Sequence, residues 1–362
     1  MIMFVLDAHC DAPSQMYRLR DFHKDNDHAH VDFPKLRAGG IGASVFAMYV
    51  PSQLEGAEAT AYALKLISCV YEQIETADDI RLCFSASQLR ENIASKRISI
   101  LMSLENGSPI QRSLSLLRVF KQLGISSIVL THNADNEIGD SVAGHGRWGG
   151  LSPFGREVVA EMNRLGMIVD VSHAADTTAY DCLECSKAPI IASHSSCRSL
   201  NPHRRNISDD LLRRIADGGG LVGINIFPSF LSSDFAAVLA SGGLEDRVDA
   251  VEEEFIADPS DPEKIAAWHA AQDSLLGLPR PSYKLVADHI DYAVKVAGID
   301  HVGIGTDYDG ICVTPVGLEN VSKLGCIFDE LHSRGYSSDA IEKISGLNYL
   351  RVLSDVERLS SC

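Results

Sequence analysis

Short apolar runs rich in β-branched residues recur along the whole chain, and between most of them apolar positions return every three or four residues. Strands alternating with amphipathic helices are the signature of repeated βα units and a parallel sheet. Eight such runs are present: Met3–Asp7, Ala43–Tyr49, Ile98–Leu104, Ser126–Thr131, Met167–Val171, Ile190–Ser193, Gly220–Ile226 and His301–Thr306. The clearest helix precedes the eighth, where Val286, Ile290, Ala293, Val294 and Ala297 share a face and Gly298 supplies the stop. A doubly wound open sheet would alternate in the same way, but it advertises a glycine-rich phosphate turn after an early strand, and the sequence carries none. Eight strands favour closure. The predicted architecture is α/β, a (β/α)8 TIM-like barrel built as one domain over residues 1–362, since such barrels run past about 250 residues when their loops carry insertions. One insertion, at about 227–283, carries the acidic run Glu252-Glu253-Glu254 and then Asp258, Asp261 and Glu263. A stretch of that length reads as a partly helical lid over the barrel mouth or as a solvated decoration.

Metal-competent residues gather where these runs end, the end at which barrel enzymes build their active sites. The first run leads into His9-Cys-Asp11, the third into Glu105-Asn-Gly107, the fourth into Thr131-His132-Asn133, the fifth into Asp170-Val-Ser-His173, the sixth into Ser193-His194-Ser195, and the eighth into Thr306-Asp307-Tyr-Asp309-Gly310. His9 and Asp11 are two apart on an extended segment, so their side chains share a face and can grip one ion together. Glu105 closes a run that should be buried, where a carboxylate is costly unless paired or metal-bound, and its two oxygens suit it to be shared by two ions. Neutral imidazoles and carboxylates converging on one ring are the donor set that suits zinc.

Charge and composition narrow the partners. The net charge of −17 argues against a phosphate-tracking surface, so neither nucleic acid nor an anionic membrane is an expected partner. No apolar stretch of about 18 residues occurs and the first residues lack a basic leader, so a cytoplasmic location is expected. The nine scattered cysteines read as reduced thiols, with the Cys182–Cys185 C-x-x-C pair packed in a helix. His23, His28 and His30 sit with Lys24, Asp25 and Asp27 in what reads as a solvated polar loop.

Over essentially its full length the sequence resembles the membrane (renal) dipeptidase family, peptidase family M19 of the amidohydrolase superfamily. The resemblance rests on the strand-end motifs above together with Arg205-Asn206, Gly303-Ile-Gly305, Gly346-Leu-Asn348 and the segment from Leu151 to Val159. It implies a metallo-dipeptidase with two zinc ions per chain, one held by His9 and Asp11, the other by His173 and His194, and both bridged by Glu105. It further implies Asp307 as general base and proton shuttle, His132 as the group that steadies the oxyanion, and Arg205 as the partner of the substrate's terminal carboxylate. Tyr49 either lines the pocket or belongs to the core. The implied substrates are free dipeptides, L-Xaa-D-Xaa dipeptides among the candidates, and a homodimer is an expectation of the same kind.

N-acyl amino acid or lactone hydrolysis on the same metal platform is the alternative, and a non-catalytic metal-binding protein a more distant one; the latter would lack a ligand or the base, and none is missing. Two thiols lie near the motifs: Cys10 should point away from His9 and Asp11, whereas Cys197, three residues after His194, reads as close enough for oxidation to affect the site.

Overall fold

The computed structural model describes residues 3–18, 20–241, 243–258 and 260–361. All eight expected strands are present: β1 Val5–Cys10, β2 Ile41–Tyr49, β4 Ile98–Glu105, β5 Ile125–Val129, β6 Ile168–Asp170, β7 Ile190–Ala192, β8 Leu221–Ile224 and β9 Val302–Ile304. Their order is β2-β1-β9-β8-β7-β6-β5-β4, every pairing is parallel, and the additional pairing of β2 with β4 closes the ring. The fold is a (β/α)8 barrel. A ninth strand, β3 (Ile80–Leu82), pairs with Ile98–Ile100 at the start of β4, outside the ring. Three residues are too few to show a period, which is why the sequence reading missed it.

Two apolar layers follow from the two faces of each strand. Leu6, Ala8, Ala43, Val45, Leu101, Ile168, Ile191 and Leu221 pack together with Tyr349, Val352, Leu353 and Val356 of the helix Asn348–Arg358. These are the residues of the barrel interior. Val5, Phe46, Met48, Ile100, Met102, Leu104, Val169 and Val222 belong to the other layer, beneath the surrounding helices. One of those helices is the expected one, Tyr283–Ala297, which buries Val286, Ala287, Ile290 and Ala293 and ends at Gly298 with φ 88°. Cys182 and Cys185 pack as free thiols on the helix Asp176–Cys185.

The two-residue period aims the chemistry. Leu101 points inward, so Ser103 and Glu105 do as well, and on β2 Val45 brings Ala47 and Tyr49 to the same side. In β1 the alternation is broken: the pairing with β2 slips between Asp7 and Cys10, and Cys10 joins the outer layer. Such a slip re-aims the residues after it. It turns His9 and Asp11 toward the barrel mouth and sends the Cys10 thiol to Ser44 Oγ at 3.3 Å, away from them as expected.

Between β8 and the helix Tyr283–Ala297 the described residues of the insertion form four helices, Pro228–Leu231, Ser233–Ser241, Leu244–Ala257 and Pro262–Leu276. The acidic run lies on the third. No helix among the described residues is long and apolar enough to cross a membrane.

One ion-pair network on the outer shell is strong enough to predict from. Glu161, on the helix Pro153–Leu165, accepts from Arg118 Nε at 2.6 Å and from Arg164 Nε and Nη2 at 2.8 and 2.7 Å. The Arg164 and Arg118 guanidiniums hold its carboxyl down to about 2, against an ordinary value of 4.5. Because the arginines are half-exposed, the network contributes about 1–2 kcal/mol rather than the full value of the shift. Glu161→Gln should lose that amount in urea unfolding at pH 7. A folded pKa below the unfolded one stabilises above the unfolded value, so the deficit should be full above about pH 5 and shrink as pH falls toward 2.

Candidate metal centre and active site

Five side chains converge at the C-terminal ends of the strands. His9 Nε2 lies 3.3 Å from Glu105 Oε2 and 3.6 Å from Asp11 Oδ2. On the other side of Glu105, Oε1 lies 3.4 Å from His173 Nε2 and 3.8 Å from His194 Nε2. These atoms make two groups able to hold a metal ion, His9 with Asp11 and Glu105, and Glu105 with His173 and His194. The shared member is Glu105. A third group, His9 with His194 and Asp307, overlaps both.

Neighbouring polar groups orient the donors. Ser193 Oγ meets His194 Nδ1 at 2.8 Å and Asn133 Oδ1 meets His173 Nδ1 at 3.3 Å, which leaves each Nε2 directed at Glu105. His173 and Asp307 both adopt left-handed backbone, φ 65° and 64°, an uncommon conformation for residues with a side chain and one that clusters at functional sites. Gly310 is required sterically: a Cβ there would fall 2.2 Å from Asp11 Oδ2 and 2.7 Å from Asp307 Oδ1. At the ends of β6 and β7 Asp170 Oδ1 accepts from the backbone N–H of Ser172 and Ser193, each at 3.0 Å, tying the two histidine-bearing turns together.

The electrostatics call for a cation. Burial first, and Glu105 second, push Asp11 up to about 7, and burial raises Asp307 to about 6. Burial depresses His173 and His194 well below the usual histidine range, with Arg205 adding to both, so they are neutral imidazoles. Burial alone would depress His9 too, but Glu105 and Asp11 outweigh it and raise it. Both His9 ring nitrogens, Asp11 Oδ1 and His194 Nε2 are buried without hydrogen-bond partners among the described residues. Crowded carboxylates that repel one another, beside neutral imidazoles with unmatched nitrogens, fit bound divalent metal and are otherwise costly.

The remaining expected residues line this centre. The His132 ring packs between Tyr49 and His173, with centroids 4.7 and 4.3 Å away, so Tyr49 faces the site. Burial, then Arg205, pushes His132 down to about 3, leaving a neutral ring that can donate a hydrogen bond. Arg205 is 8% exposed, its Nη2 reaches the His194 carbonyl at 3.5 Å and Phe230 lies 5.4 Å from its Cζ. No ion pair involves Arg205 among the described residues, its Nε has no partner, and burial lowers it to about 10.

Asn225 escaped the sequence reading. It follows β8, and its Nδ2 donates to Asp307 Oδ2 at 2.9 Å, leaving Oδ1 on the side of His9, 3.9 Å from Nε2. The signal was present, since Asn225 is the one polar side chain in the run Gly220–Ile226. The Cys197 reading needs correction. Its thiol is fully buried, donates to the His289 carbonyl at 3.4 Å and is pushed up to about 12 by burial, so it is neither a thiolate nor accessible to oxidants. His23, His28 and His30 diverge, to Gln73 O, to a stack on His269 and to the backbone N–H of Asp309 respectively. Asp309 in turn accepts from the His30 and Val31 backbone at 2.7 and 3.2 Å, so it shapes that loop and joins no metal-binding group among the described residues.

A family model for membrane dipeptidase (peptidase family M19) matches residues 2–361. The dipeptidase aclJ of Aspergillus oryzae is 34% identical over 358 residues, 96% of this chain and 75% of that protein. The dipeptidase verJ of Clonostachys rogersoniana is 33% identical over 346 residues, 92% of this chain and 77% of that protein. Among solved structures, the probable dipeptidase PvdM of Pseudomonas aeruginosa superposes with a TM-score of 0.81 at 25% identity, covering 99% of this chain and 96% of that one. A metallo peptidase of Rhodobacter sphaeroides, solved with a phosphinate mimic of L-Ala-D-Ala, shares the fold with a TM-score of 0.81 at 23% identity, over 98% of this chain and 100% of that one.

Proposed function

The chain belongs to the membrane dipeptidase family, peptidase family M19, whose members are metal-dependent dipeptidases, and from that premise we propose that it cleaves free dipeptides at a two-zinc centre, reading the substrate's terminal carboxylate through Arg205. One zinc would be held by His9, Asp11 and Glu105 and the other by Glu105, His173 and His194. When bound, the two ions supply the positive charge that polarises the scissile carbonyl and makes water a nucleophile near neutral pH.

The chain's own residues do the rest. Asp307, steadied at Oδ2 by Asn225, accepts the proton of the attacking water at Oδ1 and returns it to the leaving amine. His132 donates to the carbonyl oxygen as it gains charge. Arg205 anchors the far end of the substrate.

The observation that carries this reading is the Arg205 guanidinium, buried beside the cluster with no carboxylate partner among the described residues. A planar fork held dry in that way matches a ligand carboxylate bidentately and discriminates against neutral groups. Free dipeptides should therefore be cleaved, and C-terminally amidated dipeptides should lose about 2–5 kcal/mol in kcat/KM. Arg205→Lys keeps the charge but not the fork, so it should lower kcat/KM for dipeptides and narrow the gap to their amides. Equal cleavage of a dipeptide and its amide by the parent enzyme would exclude carboxylate recognition at Arg205 and favour a broader amide or lactone hydrolase.

A further inference from the structure

The helix Ala12–Tyr17 begins at Asp11, so the residues one and two turns along the Asp11 face are Gln15 and Arg18. At the rise of an α-helix they stand about 6 and 10 Å along the axis from Asp11, with Arg18 capping the helix at its C-terminal end. Both are buried, 2% and 7% exposed. Yet Gln15 Oε1 and Arg18 Nη1 have no hydrogen-bond partner among the described residues. Native structures rarely leave such groups unmatched unless something else satisfies them.

The insertion packs against Arg18. Glu252 Oε1 lies 3.6 Å from Arg18 Nη2, a loose ion pair, and the Phe255 ring lies 4.7 Å from the Arg18 Cζ. Glu252 is also within electrostatic reach of the centre: desolvation first, then Asp249 and Asp11, raise its carboxyl, and Tyr49, raised mainly by burial and by Glu105, feels Glu252 as well. Arg205 follows β7, whereas Gln15 and Arg18 follow β1, with β8 and β9 between them in the ring. A substrate anchored by its carboxylate at Arg205, with its peptide bond over the cluster, extends its N-terminal residue toward the β1 side.

The geometry points to a subsite for the side chain of the substrate's N-terminal residue, formed by Gln15 and Arg18 beneath Glu252 and selective for a carboxamide of glutamine length; this rests on the dipeptidase reading above. A carboxamide supplies both missing partners, its carbonyl accepting from Arg18 Nη1 and its NH2 donating to Gln15 Oε1. An alkyl or thioether chain leaves both unmatched. A carboxylate brings no donor for Gln15 and meets the Glu252 charge.

The test compares Gln-Ala, Met-Ala and Glu-Ala dipeptides, each with L-Ala and with D-Ala at the C-terminus, on the zinc-loaded enzyme. The parent should cleave the Gln substrate with kcat/KM about tenfold or more above the Met substrate of similar length, with the Glu substrate below the Gln one, as befits a site built to hydrogen-bond. Gln15→Met and Arg18→Met should each draw the Gln-to-Met ratio toward one. Equal rates for Gln and Met in the parent, a Glu substrate faster than Gln, or a ratio untouched by both variants would each overturn the subsite. The substrate series needs only the parent, so it decides the matter even if a variant fails to fold. Cleavage without glutamine preference overturns the subsite alone, whereas cleavage of no dipeptide at all overturns the dipeptidase reading with it.

Discussion

Glu105→Gln should abolish nearly all activity while making the metal-free protein no less stable. Glu105 is the member common to both candidate metal groups, with one oxygen toward His9 and the other toward His173 and His194. Gln keeps the shape but has one weak acceptor oxygen in place of two charged ones, so it cannot serve two cations. Losing that support removes several kcal/mol of electrostatic assistance, and at about 1.4 kcal/mol per power of ten kcat should fall by about three powers of ten or more. Bound zinc, measured by elemental analysis after gel filtration, should fall below the two per chain proposed for the parent. The stability effect is much smaller. Glu105 raises both Asp11 and His9 in the metal-free centre, so neutralising it relieves repulsion from one and gives up attraction to the other, and the two offset. The Tm without metal should hold, and the gain in Tm on adding zinc should shrink, since that gain measures binding to the native state alone. Full metal content with normal turnover would show that the ions are held elsewhere.

Why Glu105 could be singled out from sequence, and Asn225 was not, comes down to what each strand must do. In a closed parallel barrel the strands are buried on both faces, so they stand out as apolar runs, and a charged residue closing such a run is conspicuous. Asn225 is uncharged and fits no ligand pattern, and its value appears only when β8 and β9 set its amide against Asp307. The slip in β1 is also invisible in the sequence. Strict alternation from Leu6 and Ala8 would point Cys10 inward, and only the irregular pairing with β2 shows why His9 and Asp11 face the mouth instead. Cys197 was misread for the related reason that proximity in the chain to His194 does not decide which way a thiol points; the His289 helix buries it. The insertion was legible as helical and acidic. Its seat on Arg18 was not, because that contact joins segments far apart in the chain.

Asp307→Asn separates the two roles that the geometry allows this residue. Asp307 Oδ1 belongs to a group with His9 and His194 that could hold an ion, and it is also the base proposed for the attacking water. Asn preserves the volume and can still meet Asn225, now through its own oxygen, which leaves an amide N–H rather than a proton acceptor facing the centre. If Asp307 moves protons, kcat should fall by about two to four powers of ten with zinc content unchanged, the usual scale of a lost general acid–base. KM for a free dipeptide should change little, because in the proposed mechanism Arg205 and the metal centre hold the ground state without it. Loss of zinc in step with activity would make Asp307 a ligand and move the proton transfer to another group. Near-normal turnover would remove it from the mechanism. Asn225→Ala supplies the graded control: it leaves the carboxylate in place but frees its second oxygen, so kcat should drop by less than in Asp307→Asn, again with zinc retained. A drop as large as that of Asp307→Asn would show that the orientation of the carboxylate, and not its mere presence, sets the rate.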